Sequence, residues 1–336
     1  MGNLAGVAGT CHPIEDRKFT IKELKRIMSL PEDFKLTGKH KQQSERIGRM
    51  VPPLMMKALA ESVYNKVLKP KLKSSSKKIA IITGAGAGIG GTVAAKFASE
   101  GYHSYLCRRT DQDGLDKLIK GIEESGGSAS GELINAIEED SIEALINKVE
   151  SEVGPIEVVV YNLGAQTGMK LLSQTSYKEF EWGWKMASFG LFRVAKVLCP
   201  LMADRGKGTI LVTSATAAMR GNATQHSHAA AMAGRRMLCQ SLNAEFSSQG
   251  IHVAHIIVDG AVDAPDTLGK MMGPEMYQKF RETKGMEHDG LLLPKEIAKT
   301  YFHLSQQHRS AWTHELDLRA FSDLAWWNHA TMLDDR

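Results

Sequence analysis

From residue 79 onward the chain alternates between short, mostly apolar runs and longer stretches whose apolar residues recur every three to four positions. Ile79-Ala80-Ile81-Ile82-Thr83 is the first run. His103 to Cys107, Leu133 to Asn135, Ile156 to Tyr161, Thr209 to Thr213 and Ile251 to Val258 follow. Such runs read as strands buried on both faces, and the helical periodicity between them reads as covering helices. Strand and helix in alternation build a parallel sheet sandwiched between helical layers. The expected fold is therefore α/β, a doubly wound parallel sheet over residues 79–336.

Ahead of it the pattern predicts a short helical N-terminal segment. Thr20-Ile21-Lys22-Glu23 is a capping box, and Leu24, Ile27 and Met28 follow at helical spacing, so a helix should end near Leu30-Pro31. A second helix should start at Pro52-Pro53 and run through Leu54, Met55, Ala58, Leu59, Val63 and Val67. Residues 69–78, rich in lysine and serine, read as a basic linker. Charge divides at the same place. Residues 1–78 hold 17 Lys or Arg against 7 Asp or Glu, whereas residues 79–336 hold 25 against 31. The expected organisation is a helical fragment at 1–68, the linker at 69–78 and the α/β domain at 79–336. A helical fragment this small makes a marginal core by itself.

Composition narrows the class. No run of 18 apolar residues is present, so no membrane span is expected. Neither an apolar leader nor a cysteine framework is visible, since Cys11, Cys107, Cys199 and Cys239 are scattered. That fits a cytoplasmic protein with no metal site.

The candidate chemistry begins at Thr83-Gly84-Ala85-Gly86-Ala87-Gly88-Ile89-Gly90, between the first strand and the next helix. Glycines there permit a tight turn and close approach of backbone to a pyrophosphate, and the helix N-terminus supplies N–H groups for it. Downstream stand Tyr161-Asn162-Leu163-Gly164, Gly208 to Ser214, the helix Met237 to Phe246, and Gly250-Ile251-His252-Val253. Together these resemble the short-chain dehydrogenase/reductase family over about 240 residues. The resemblance implies a Rossmann fold, a nicotinamide dinucleotide cofactor, a small-molecule carbonyl or alcohol substrate, and homo-oligomers formed through the long helices.

Carried over residue by residue, that resemblance puts the cofactor on Thr83, Gly84, Gly86, Ala87, Gly88, Ile89, Gly90, Asn162, Gly164, Gly260 and Val262. Asn135 would meet the adenine. After the second strand the chain reads Cys107-Arg108-Arg109, with no acid at the turn. Arginines suit the 2′-phosphate of NADP, so Arg108 and Arg109 favour NADP, with NAD the alternative.

The family's serine, tyrosine, lysine and asparagine fall on Ala215, His228, Met232 and Ala187. All four are replaced, which leaves two expectations. Either His228 takes over as acid/base, with Ser214 or Thr216 steering the substrate, because imidazole titrates near neutrality unaided. Or the domain binds a nucleotide or partner without turnover. Asp263 to Gly290 has the content of a substrate lid, with Met271, Met272, Met276 and Met286 as candidate pocket residues.

The N-terminal words differ in kind. Arg17 to Glu23, Leu30 to Phe34 and Arg46 to Pro53 resemble the last two motifs of DNA cytosine-5 methyltransferases, with Arg49 where that family has asparagine. The chain has no Pro-Cys nucleophile and no upstream Gly-rich loop, so a methylation remnant is the expectation and nucleic-acid binding is not.

Overall fold

A seven-stranded parallel sheet organises residues 77–336, one of two units into which the chain divides at Ser76. The computed structural model describes residues 12–68, 77–164 and 169–327, so most of the expected linker lies outside the described residues. The strands are β1 (Lys78–Thr83), β2 (Tyr102–Arg108), β3 (Ser128–Leu133), β4 (Ile156–Tyr161), β5 (Gly208–Ala215), β6 (Ile251–Asp259) and β7 (Glu315–Arg319). Their order, β3-β2-β1-β4-β5-β6-β7, reverses direction between β1 and β4. In doubly wound sheets the ligand crevice opens at that switch, outside the carboxyl ends of the strands.

The core is split by the sheet. Ile79 and Ile81 face one layer, made by α6 (Ser141–Lys148), α8 (Gly190–Asp204) and α9 (His226–Phe246). Ala80 and Ile82 face the other, made by α4 (Ile89–Ser99), α5 (Gln112–Glu124) and α10 (Pro294–Ser305). Burial on both faces is why the central strands are apolar at nearly every position.

One strand expectation needs correction, and one strand was not expected. The third strand is Ser128–Leu133 rather than Leu133 to Asn135, and its polar sequence hid it. It lies at the sheet edge, where Ser128 and Ser130 bond the two ring nitrogens of His103 on β2, each at 2.7 Å. The seventh strand is short, charged and also at the edge.

A 28-residue helical stretch, Tyr177–Asp204, is long and apolar enough to cross a membrane by length and composition alone. It comprises α7 (Tyr177–Trp184), a π-helical turn at Lys185–Phe189, and α8. Most of it is buried within the fold, and Arg193 in its middle pairs with Glu143 and donates to Ala136 O. These are the marks of a core helix.

Among the described residues the first unit holds the α-helices α1 (Ile21–Ile27), α2 (His40–Arg49) and α3 (Pro53–Val63), the last continued by a π-helical turn at Tyr64–Leu68. Thr20 and Glu23 make the expected reciprocal cap on α1. Leu24, Met28, Leu30 and Ile47 form the core of this unit. The helix α2 escaped the periodicity because only Ile47 and Gly48 of its ten residues are buried.

Candidate cofactor and catalytic site

The glycine-rich turn is fixed from both sides by neighbouring strands. Thr83 Oγ1 donates to Val160 O and accepts from the Asn162 N–H. The Asn162 amide donates to Gly84 O at 3.0 Å, and the Ala85 N–H donates to Cys107 O at 2.9 Å. Gly84 has φ +72, and a Cβ there would lie 2.6 Å from the Asn162 carbonyl; a Cβ on Gly90 would run into Gly84 O. Neither position accepts a side chain. Around Gly86 and Gly164, by contrast, no described residue beyond the chain neighbours lies within 4 Å of where a Cβ would stand, and Ala87 at the tip is exposed. The helix α4 begins at Ile89 with Gly88 as its cap residue and no side-chain cap; the Gly91 N–H donates to Gly86 O at 2.8 Å, which leaves the Ile89 and Gly90 N–H groups for an anion.

Beside the turn is a largely apolar cavity whose lining includes Thr83, Gly84, Arg108, Arg109, Ala136 and Leu163. Arg108 is ion-paired with Asp111 at 2.8 Å. Asp111 has φ 74 and caps α5 by accepting from the Gly114 N–H. An acid therefore does stand near this turn, engaged with Arg108 and the helix. Its position just before a helical pattern is the capping signal that marks it. Arg109 is exposed and makes no ion pair among the described residues. Asn135 belongs to a separate groove with Glu132, Glu138 and Lys148, and its amide donates to Glu138; only its neighbours Ile134 and Ala136 line the cavity.

The expected catalytic positions come together at the ends of β5 and α9. Ser214 is buried, its hydroxyl 3.9 Å from the Met232 sulfur, while Thr216 starts the following turn and is half-buried. His228 sits half-buried in the first turn of α9, and Met232 is buried one turn on. Ala187, in the π-helical turn, joins Ala217, Ala218, Ala231 and Met232 in one apolar cluster. Past β6, Gly260 has φ +149, and a Cβ on it would meet the Asp323 carboxylate at 2.7 Å. Val262 bridges to Leu292, and Asp263 accepts from the Tyr277 hydroxyl and pairs with Arg281. Burial, then Asp263, pushes the Tyr277 pKa up to about 12. Of the methionines in this segment, Met271, Met276 and Met286 are exposed.

One residue escaped the sequence reading. Arg235 on α9 is 1% exposed. Its guanidinium donates to three backbone carbonyls: Ala187 O at 3.2 Å, Thr213 O at 2.6 Å and Leu163 O at 2.7 Å. It stands 5.2 Å from the ring centre of Tyr161, whose hydroxyl donates to Met186 O. The signal was spacing: Arg235 is three residues after Met232 and seven after His228, on the same helix face.

The fold, the glycine cradle and the strand-end cavity define a dinucleotide-binding oxidoreductase architecture, and comparison with known proteins gives the family. The short chain dehydrogenase profile matches residues 78–269, and that for C-5 cytosine-specific DNA methylase matches residues 2–65. The chain is 28% identical over 242 residues to an uncharacterized oxidoreductase of Bacillus subtilis, covering 71% of this chain and 88% of that one. It is equally 28% identical over 221 residues to the 7alpha-hydroxysteroid dehydrogenase of Escherichia coli, covering 66% and 84%. A short-chain dehydrogenase structure from Rhodopseudomonas palustris aligns at 30% identity and a TM-score of 0.59, over 73% of this chain and 99% of that one. An alcohol dehydrogenase of the archaeon Thermococcus sibiricus, complexed with 5-hydroxy-NADP, aligns at 25% and 0.63, over 74% and 99%. The chain belongs to the short chain dehydrogenase family.

Proposed function

We propose that the sheet unit binds NADP(H) and acts as an oxidoreductase on a small carbonyl or alcohol, with His228 in the place of the family's tyrosine. The observation that carries this reading is the cradle. Backbone closes against Gly84 and Gly90, space opens at Gly86 and Gly164, an uncapped helix start faces that space, and Arg108 and Arg109 line the adjoining cavity. Bound there, the cofactor supplies the hydride. Gly86, Ala87, Gly88 and Ile89 would meet its pyrophosphate, and Asn162 keeps the turn in shape. Arg109, lacking an ion-pair partner among the described residues, is the better anchor for a 2′-phosphate than Arg108, which Asp111 already holds. His228 would exchange the proton with the substrate oxygen. Thr216 is the better hydroxyl to steer that oxygen, since Ser214 points at Met232.

The neighbouring solved alcohol dehydrogenase carries an NADP derivative, which supports the same cofactor here. Fluorescence titration tests it: NADPH should bind more tightly than NADH, and Arg109→Ala should cost NADPH about tenfold with little effect on NADH. Equal affinities in the unaltered protein would remove NADP as the cofactor.

A second reading, nucleotide binding without turnover, is favoured by the apolar cluster of Ala187, Ala217, Ala218, Ala231 and Met232. His228→Ala on a panel of carbonyls separates the two. A general acid lost should lower the rate by about 10²–10⁴, whereas no His228-dependent turnover leaves the binding role alone. Self-association is also proposed, through the α7–α8 face, where the exposed Trp184, Phe189 and Phe192 rings stack in sequence.

A further inference from the structure

Arg235 is a buried cation for which the structure provides no anion. Among the described residues no carboxylate reaches it, and its three hydrogen-bond partners are uncharged carbonyls. A fixed charge taken out of water is costly, and removal of a well-packed apolar alternative is seldom worth that cost for packing alone. The three carbonyls also have a common address. Ala187 is itself one of the replaced positions. Thr213 is two residues before Ala215, and Leu163 lines the cavity between Asn162 and Gly164. A long helical side chain leans toward the N-terminus of its helix, the end that carries His228 and Met232. Ala187 and Met232 pack in one buried apolar cluster that makes the floor of the site apolar, and Arg235 is tied to that floor through the Ala187 carbonyl.

We propose that Arg235 is a positioning residue that restores, from beneath, the positive charge that Met232 removed from the floor, and that this charge biases the site toward the reduced cofactor. The proposal rests on the NADP(H) reading above. The two cofactor forms differ by one positive charge, on the nicotinamide ring of NADP+. A cation fixed within about 10 Å in protein surroundings opposes that ring charge and leaves NADPH untouched, a difference of about tenfold in affinity. The same charge favours negative charge developing on a substrate oxygen above it, which is the direction of carbonyl reduction.

The test is the ratio of NADP+ to NADPH dissociation constants, read by titration calorimetry on the full-length protein. The unaltered protein should favour NADPH by about tenfold or more. Arg235→Gln, which keeps amide donors for the carbonyls but drops the charge, should bring the ratio down by about tenfold. Arg235→Lys, which keeps the charge with fewer donors, should restore it. A scaffold role alone predicts that Gln and Lys weaken both forms alike, and that result overturns the proposal. So does a ratio near one in the unaltered protein, which decides the matter even if the Gln variant does not fold. Failure of the unaltered protein to bind either form overturns the cofactor reading itself, and the proposal with it; binding with an unmoved ratio overturns only the role of Arg235.

Discussion

His255 on β6 has no exposed surface, and its Nδ1 lies 3.0 Å from Glu315 on β7, which also holds Arg236 of α9 through both oxygens. Burial pulls the His255 pKa down to about 4 from 6.5, against the attraction of Glu315. Hydrogen bonding to Arg236 holds the Glu315 carboxyl below its usual range. A histidine kept neutral in the fold must take up a proton on unfolding below its ordinary pKa. Its contribution to stability is thus complete above about pH 6.5 and is lost as the pH falls toward 4, by about 3 kcal/mol in all. Burial lowers His252 and His103 in the same sense. Urea midpoints measured from pH 7.5 to 4.5 should therefore fall, and His255→Gln should flatten that fall. An unchanged slope in the variant would assign the acid sensitivity elsewhere.

At the scale of elements, the turn between β1 and α4 has positions that backbone closure makes irreplaceable. Gly90→Ala would force a Cβ onto the Gly84 carbonyl at the start of α4. The expected outcome is at least a tenfold loss of NADPH affinity with a lower melting temperature, because turn and helix start must separate. Retained affinity in a titration would show that the turn does not serve the cofactor. This much of the site was legible in the sequence, because glycine spacing reports backbone geometry directly. The buried central strands were legible for a similar reason, since β1, β4 and β6 are apolar at most positions. What escaped was whatever depends on partners distant in sequence. The edge strand β3 is stabilised by serines meeting His103, and β7 by charge pairs such as Arg236 with Glu315. Asp111, exposed two residues past Arg109, acts as a helix cap and ion-pair partner of Arg108 only once α5 has formed. Arg235 looked like one of two adjacent helix arginines until folding put Leu163, Ala187 and Thr213 around it. Tyr161 likewise takes on its role only in the fold, as the ring 5.2 Å from Arg235 and the donor to Met186 O.

For the whole molecule, the division at Ser76 separates two very unequal cores. The sheet unit takes all seven strands from residues 78–319 and fills both faces with its own helices. Its first strand starts at Lys78, immediately inside the boundary, so cutting there removes none of the seven strands of this sheet. The N-terminal unit buries Leu24, Met28, Leu30 and Ile47, and leaves every described side chain of α3 outside its core. So small a core supplies little stability of its own, whereas a sheet unit of about 260 residues buries enough surface to fold alone. A chain reduced to residues 77–336 should accordingly melt within a few degrees of the intact protein and bind NADPH within about twofold of it. Circular dichroism and the same fluorescence titration give both numbers. A large drop in melting temperature with intact binding would mean that the methylase-like unit braces the sheet unit. Loss of binding with an unchanged melt would instead place part of the cofactor's environment in residues 1–76, and either outcome would end the treatment of that segment as an independent remnant.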